Sequence, residues 1–526
     1  MDEELQSFMD TMLHLHTEQK MDALARHMAD DSLSLEHRLS VLDALLRQRE
    51  LWLAFVFALS LEATGHQHWL ISLSLSFGGL LYGSRSEHTR AIPLLREQCQ
   101  GFAIEQREQA FTIISAVMAD QIRLRASEPN AEKDMVYLLE ICKAVIPSLR
   151  TWFDWTASVP DVTPETLRQQ KIAAAPPTLY PLPANRRPRR VVLSMPDSYF
   201  VHRLQTAMLT YGYQVTVRYI SGGSGTDLLV DPISVIKLCQ MTGAELLVLR
   251  ADQMMAHLIL FHAMLIRLRQ LMPDLKIMLV SIDSWTLQAG LEGERPIISI
   301  DPFYVRVLSL LDGIWESDSP FLETWNLPVF SNKVLHAPLP HAGHIGPPDP
   351  PMLARMSYIG SVHSTVHWHR SFWQLATRLL NVPVEYQQHS FVDTAGFAKK
   401  ESEESMKGVH SLITYNNHKA FIHRSTVIVN LTRKPNLACI VTNRSFEVPL
   451  NGALLVQEFA PGMHHYFTPG EHYLEFRSVA ELSAIARFIA EHPEDAEEIR
   501  RCGSAFAREH YSDEKLIGYL DKFLWP

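Results

Sequence analysis

The chain has 526 residues, 47% of them apolar and 20% charged, which is close to the average of globular domains and argues against disorder over any long span. A formal net charge of -10 at pH 7 argues against a nucleic-acid partner, because affinity for polyphosphate comes mainly from Lys and Arg. The length predicts about three domains of roughly 100–200 residues, each able to bury its own core.

The five cysteines (Cys99, Cys142, Cys239, Cys439 and Cys502) lie far apart and form no CxxC pair. That pattern predicts free, mostly buried thiols in a reducing compartment. The chain opens on the acidic Met1-Asp2-Glu3-Glu4, unlike a secretory leader, so a cytoplasmic location is expected.

Residues 1–160 predict helix throughout, with apolar spacing of three and four over 3–29, 35–47, 51–61, 69–81, 104–126 and 133–149. The most apolar stretch, residues 51–82, is interrupted by Glu62, His66, Gln67 and His68. Its two runs fall short of the roughly 20 residues that span a bilayer, so they predict core helices and no transmembrane segment, with a membrane-surface hairpin as the other reading. The domain is either a plain bundle that packs on the rest of the chain or on a second copy, or a helical repeat that binds a protein partner. A 34-residue tetratricopeptide signature is not evident.

Residues 161–189 form a Pro- and Arg-rich linker. Pro176, Pro177, Pro181, Pro183 and Pro188 favour extended backbone, and Arg186, Arg187 and Arg189, with Arg190 just beyond, give a short basic patch that is read as a solvated connector.

Strand and helix alternate over residues 190–345. Strands are predicted at 191–194, 214–219, 246–249 and 276–281, and helices at 202–209, 235–241 and 254–271. Alternation of this kind implies a parallel, doubly wound sheet whose ligands bind beyond the carboxyl ends of its strands. Asp197 and Asp283 are expected there. The loop Ser221-Gly222-Gly223-Ser224-Gly225-Thr226 lacks a Walker lysine and dinucleotide spacing, and reads as a surface turn.

A second α/β unit covers residues 346–526, after six prolines between 338 and 351. It opens on a strand ending in Gly360 and Ser361, continues with a helix at 371–380 and strands at 382–387, 412–415 and 427–431, and closes with helices at 479–491, 494–502 and 516–523. Two such units in tandem make a two-lobed protein with a ligand-holding cleft. The most informative segment runs from Arg444-Ser445-Phe446-Glu447 through Gly452, an apolar strand, Pro461-Gly462-Met463 and Phe467-Thr468-Pro469-Gly470. A carboxylate opening a helix can accept both ribose hydroxyls of a nucleotide, and free N–H groups at a helix start suit a diphosphate.

On these residues the chain resembles the glycosyltransferase group 1 family, in the branch that includes the bacterial spore-maturation glycosyltransferase-like proteins. The matching positions are Gly360 and Ser361 with Arg370 after them, then Arg444, Phe446, Glu447 and Gly452, the Pro469-Gly470 turn, and a closing pattern that ends at His510-Tyr511. Residues 356–511 carry the resemblance well and 190–345 loosely. It implies an α/β fold of the GT-B type, a pair of Rossmann-like domains facing a cleft and here preceded by an all-α helical domain. It further implies a metal-independent transferase of the hexosyltransferase type, with a nucleotide-diphosphate-sugar as donor substrate, no cofactor, and a protein or glycan acceptor held by the first lobe.

The residues are assigned accordingly. Glu447 is the candidate for the ribose, or else a carboxylate that favours the helix dipole. Arg444 and Arg370 are candidates for the diphosphate, or else surface ion pairs. Gly360, Ser361, Gly452 and Gly462 would allow close backbone approach, or are ordinary turn residues. Asp197, Asp283 and His202 are the candidate bases. His363, His367, His369 and the pair His464-His465 do not have a known ligand spacing, and no metal site is predicted. Many relatives carry a glutamate at the position occupied here by Cys439, so an inactive scaffold acting through the helical domain is the opposing reading.

Overall fold

The computed structural model describes residues 17–28, 30, 33–48, 50–77, 85–102, 106, 109–110, 113–114, 117, 140–145, 161–169, 188–196, 199–220, 231–250, 258–281, 290–292, 295–297, 302–316, 333–340, 356–360, 377, 382, 384–388, 422, 425–432, 441–460 and 462–526. The chain divides into two compact units. One comprises residues 1–157, 361–381 and 478–480, and the other comprises 158–360, 382–477 and 481–526.

The first unit is helical in all its described elements: α1 (Thr17–Met28), α2 (Leu35–Arg47), α3 (Leu51–Ala63), α4 (Trp69–Ser76) and α5 (Arg85–Cys99). Ser34 caps α2 by accepting the N–H of His37 at 3.2 Å, and His68 caps α4 through Nδ1 and the N–H of Leu70 at 3.2 Å. α3 and α4 are apolar nearly all round and correspondingly buried, α3 through Leu53, Ala54, Phe57 and Ala58. Ser74 and Ser76 sit inside α4's contacts because their hydroxyls bond back to the carbonyls of Leu70 and Leu73, at 2.8 and 2.6 Å. Of the helices expected at 104–126 and 133–149, the described residues, including 140–145, are helical. No helix among the described residues is long and apolar enough to cross a membrane.

The second unit holds two parallel sheets, as the alternating pattern predicts. The first contains β1 (Arg190–Pro196), β2 (Gln214–Ile220), β3 (Leu246–Arg250), β4 (Lys276–Ser281), β7 (Gly313–Glu316) and β8 (Val334–His336), in the order β2-β1-β3-β4-β7-β8. A short antiparallel ribbon, β5 (Gly290–Glu292) with β6 (Arg295–Ile297), lies between β4 and β7 in the chain. In sequence order the connecting helices are α7 (Tyr199–Thr210), α8 (Pro232–Thr242), α9 (Leu258–Leu271) and α10 (Pro302–Ser309). Period-two alternation assigns the faces. Val192, Leu247, Leu249, Ile277 and Leu279 pack against α8, α9 and α10. Val191, Leu193, Leu246, Val248 and Met278 pack on the opposite face, against α7 and the last helix of the chain.

The second sheet has the order β10-β9-β11-β12-β13. Its strands are β9 (Met356–Gly360), β10 (Val384–Gln388), β11 (Val427–Asn430), β12 (Leu454–Glu458) and β13 (Leu474–Phe476), with α11 (Arg444–Leu450) and α12 (Met463–Tyr466) between the last three. The chain ends on α13 (Val479–Glu491), α14 (Pro493–Tyr511) and α15 (Asp513–Leu524). Phe446, Tyr466, Phe467 and Tyr511 form one edge-packed aromatic cluster under α11. α15 then returns to the first lobe, where Leu516, Ile517, Leu520 and Leu524 complete the core and Arg189 lies 3.7 Å from the ring centre of Trp525.

Several elements differ from the sequence reading. β7, β8 and β13 were not expected, because runs of three or four strand residues carry too little period to detect, and the two-turn helix α10 was not expected either. The helix expected at 494–502 continues to Tyr511, since Gly503 is a point of close packing and not a terminus. The 161–189 linker contains α6 (Pro164–Gln169) ahead of its Pro-rich stretch, and the first turn of α6 is capped by Thr163 Oγ1 accepting the N–H of Thr166 at 3.2 Å. Leu167 seats against Gly470, and Asp161 pairs with Arg487 at 3.2 Å. The Gly-rich loop at 221–226 and the strand expected at 412–415 lie outside the described residues, as does the expected 371–380 helix apart from Thr377.

Candidate functional site

In the second sheet the chain passes from β9 to β10 on one side and to β11 on the other, so the strand order reverses between β9 and β11. Ligands of doubly wound sheets bind beyond the carboxyl ends of the strands at such a point. Gly360 ends β9, Asn430 ends β11 and Glu458 ends β12, so these three residues mark that edge.

A buried polar network fixes the edge. Asn430 Nδ2 lies 3.0 Å from Thr442 Oγ1, 3.2 Å from Ser445 Oγ and 2.9 Å from Gln457 Oε1. Glu458 is 1% exposed, and its carboxylate accepts the N–H of Thr432 at 2.8 Å, which holds the backbone just past β11. Asn443 Oδ1 accepts the N–H of Leu339, from the end of the first lobe, at 2.9 Å. Groups satisfied in this way are rigid, because each unmade bond would leave a buried polar atom without water.

Glu447, on the first turn of α11, is 5% exposed, and its carboxylate accepts a hydrogen bond from the guanidinium of Arg203 on α7 of the first lobe. Arg203 is itself 3% exposed. The pair is a buried, charge-assisted tie between the lobes. Arg444, at the start of α11, is half-buried with its guanidinium 5.9 Å from the ring centre of Tyr358 on β9.

The other expected residues divide by position. Gly462, with φ +87°, follows the carboxyl end of β12 and caps α12 in the left-handed region that favours glycine. Gly452, with φ +81°, lies instead in the turn entering β12 at its amino end, roughly 13 Å of strand away from Glu458 at about 3.3 Å per residue. That turn is held by Arg500, which donates to the Gly452 carbonyl. His202 is half-buried on α7, with its ring centre 5.8 Å from that of Tyr219. Asp197, Asp283, Ser361, Arg370 and Cys439 lie outside the described residues.

The sequence reading did not include Arg203, Asn430, Asn443, Glu458 or the 1%-exposed Glu316 at the end of β7. A signal was available for the two glutamates, since a carboxylate ending an otherwise apolar strand, as in Leu454-Leu455-Val456-Gln457-Glu458, is already unusual. A second polar cluster lies at β13, where Glu475 takes hydrogen bonds from His464 Nε2 at 2.8 Å and Tyr473 OH at 2.9 Å. Burial, reinforced by the Glu475 charge, pushes the Tyr473 hydroxyl well above its ordinary range. Among the described residues no group of His, Cys, Asp and Glu is arranged to hold a metal ion.

Residues 398–520 match the family described as glycosyl transferase-like, a stretch that runs from before β11 into α15. No curated protein sequence matches the chain. Similar solved structures include a glycosyltransferase from Rickettsia africae, 8% identical, covering 64% of this chain and 98% of its own at a TM-score of 0.39. They also include the Anabaena protein HepE in complex with UDP and glucose, 10% identical over 64% of this chain and 99% of its own, with a TM-score of 0.38. The Thermobaculum terrenum O-GlcNAc transferase is 13% identical, covering 99% of this chain and 97% of its own, at a TM-score of 0.35.

Proposed function

We propose that the protein is a glycosyltransferase of the GT-B type that moves a sugar, of the hexose kind, from a nucleotide-diphosphate-sugar to a protein or glycan acceptor. The observation that carries this reading is the glycosyl transferase-like match over residues 398–520, which coincides with the lobe where α11 sets Glu447 and Arg444 beside the switch-point edge. Glu447 would accept the ribose hydroxyls. Arg444, whose Nε is buried with no hydrogen-bond partner among the described residues, would face the diphosphate together with Arg370. Gly360, Ser361 and Gly462 would admit the nucleotide close to the backbone.

Transfer needs a base at the acceptor hydroxyl and positive charge at the leaving diphosphate. Asp197, Asp283 and His202 stand as the candidate bases of the first lobe, and the arginines supply the charge in a metal-independent reaction. The helical unit, residues 1–160, would recruit the acceptor or a partner, or pair with a second copy, in a cytoplasmic enzyme.

A second reading is supported by the burial of Glu447 against Arg203, which is also what a locked, inactive scaffold would have. Thermal-shift titration with a panel of nucleotide sugars separates the two, since a ligand that binds the native state raises its melting temperature. A shift with one nucleotide series supports the enzyme. No shift with any member of the panel, together with no detectable donor hydrolysis, supports the scaffold.

A further inference from the structure

One outer surface of the first lobe departs from the charge balance of the chain. α8, α9 and α10 lie side by side on one face of the first sheet, packed on it through Val235, Cys239, Phe261, Met264, Leu268 and Val307. Each returns the chain from the carboxyl to the amino end of the parallel strands, so the three helices are parallel and their outer faces share one layer. No Asp or Glu occurs within them, at residues 232–242, 258–271 and 302–309, although the whole chain has 58 acidic residues against 48 Lys and Arg. Lys237, Arg267 and Arg306 are exposed there. Of the flanking acids, Asp274 lies beyond the end of α9, and Asp231 caps α8 by accepting the N–H groups of Ile233 and Ser234 at 3.1 and 3.3 Å.

The same surface is apolar. Helical spacing puts Ile233 and Met241 on the solvent side of α8, opposite the buried Val235 and Cys239, and Ile259 and Ile266 on the solvent side of α9, opposite Phe261, Leu265 and Leu268. Met241 is 84% exposed, Ile259 75% and Ile233 64%. A helix that is apolar on its inner face and again on its outer one is ordinarily covered on both, and exposed apolar groups gathered on one surface mark an interaction site.

We propose that this face docks the protein on an anionic membrane surface, with α8 and α9 lying in the headgroup layer. The inference does not depend on the sugar-donor reading. Lipid supplies what the face lacks, acyl chains for Met241, Ile259 and Ile233 and negative headgroups for the cations beside them. A second copy of the chain fits less well, because a twofold axis would set a patch whose only charges are positive against itself. Attachment is peripheral, since no helix among the described residues is long and apolar enough to cross a membrane.

The test is sedimentation of the full chain with vesicles of phosphatidylcholine alone and of equimolar phosphatidylcholine and phosphatidylglycerol. The wild type should partition at least about tenfold more strongly onto the anionic vesicles, and added salt should narrow the difference. Lys237→Gln with Arg267→Gln should remove most of that preference, about fivefold for each cation. Ile233→Ser, Met241→Ser and Ile259→Ser together should lower partition onto the anionic vesicles at least about tenfold. All five side chains are exposed, so the melting temperature of either variant should match the wild type.

Equal partition onto the two kinds of vesicle, no sedimentation with either, or anionic binding that the triple variant retains overturns the proposal. Light scattering reads the other occupant: a concentration-dependent dimer that the triple variant abolishes gives the face to a second copy and overturns it too. Should the triple variant not fold, the cation variant decides, and an undiminished preference for anionic vesicles there overturns the docking face.

Discussion

Gly503 on α14 runs directly against the backbone of His472: a Cβ at that position would lie 2.1 Å from the His472 carbonyl oxygen. The His472 turn cannot retreat easily, because His472 Nδ1 accepts the N–H of Thr468 and the His472 N–H bonds to the Thr468 carbonyl. Gly503→Ala should therefore overpack the junction and cost about 1–3 kcal/mol or more. Denaturant unfolding of the full chain measures it, and a change below about 0.5 kcal/mol would show that the turn is softer than its hydrogen bonds imply.

Glu447→Ala removes the proposed ribose acceptor and takes a charged partner from the buried Arg203 guanidinium. Nucleotide binding should weaken by about 1.5–3 kcal/mol, the range for hydrogen bonds to charged groups. Stability should fall as well, by about 3–5 kcal/mol, because one partner of a buried pair is lost. Calorimetry with the cognate nucleotide reads the first effect; an unchanged dissociation constant means that the ribose binds elsewhere.

Residues 161–169 pack on the second lobe, so the place where the chain is cut matters. A protein beginning at Ser158 should melt at a higher temperature than one beginning at Ala184, which loses the Leu167 seat on Gly470. Burying a leucine contributes about 1.5–3 kcal/mol, whereas the exposed Asp161–Arg487 pair adds little. Equal melting temperatures would reduce α6 to a passive connector. Both shortened proteins should keep nucleotide binding and lose transfer to the natural acceptor if the helical unit recruits it.

For the reaction itself, replacing the true base among Asp197, Asp283 and His202 by Asn or Ala should lower turnover by about 100- to 10,000-fold, with donor affinity little changed. A transfer assay indifferent to all three substitutions places the base elsewhere. In that case the buried Glu316 at the carboxyl end of β7 is the next carboxylate to replace.

Burial lowers the pKa of His68 and His88 in the helical unit, and of His465 and His510 in the other, below the ordinary value of 6.5. For a histidine lowered in this way the unfolded chain binds more protons than the native one. Stability then rises with pH and is lost as pH falls below about 6.5. Melting temperatures should drop between pH 7.5 and pH 5.5, and less so in His88→Gln, whose amide can still donate to the Ser76 carbonyl that His88 Nδ1 meets at 2.9 Å. A flat profile, or an identical one in the variant, would mean that these rings do not control the transition.

How much of this was legible in the chain varied from residue to residue. α3 was visible because Leu51 to Leu61 is apolar without a polar face, and β12 because four apolar residues precede Gln457 and Glu458 between a Gly turn and a Pro-Gly loop. Glu447 could be singled out from its own neighbours. Its partner could not, since Arg203 sits in a helix whose sequence shows no more than one cation among apolar residues. The helix in the linker was masked by the prolines on either side of it.

The sequence by itself determined what depends on near neighbours. The two-residue alternation that sends Val191 and Leu193 to one face of β1 and Val192 to the other is local, as are the Ser34 cap of α2 and the glycine at Gly462, which is needed for a positive φ. Tertiary structure alone decided which distant groups meet: Arg203 with Glu447, Leu339 with Asn443, Leu167 with Gly470, and α15 with the first lobe's core. Such contacts form because buried charges and amides must find partners and apolar faces must be covered. Where in the chain the partner lies depends on the folded packing, and the spacing of residues along the sequence does not encode it.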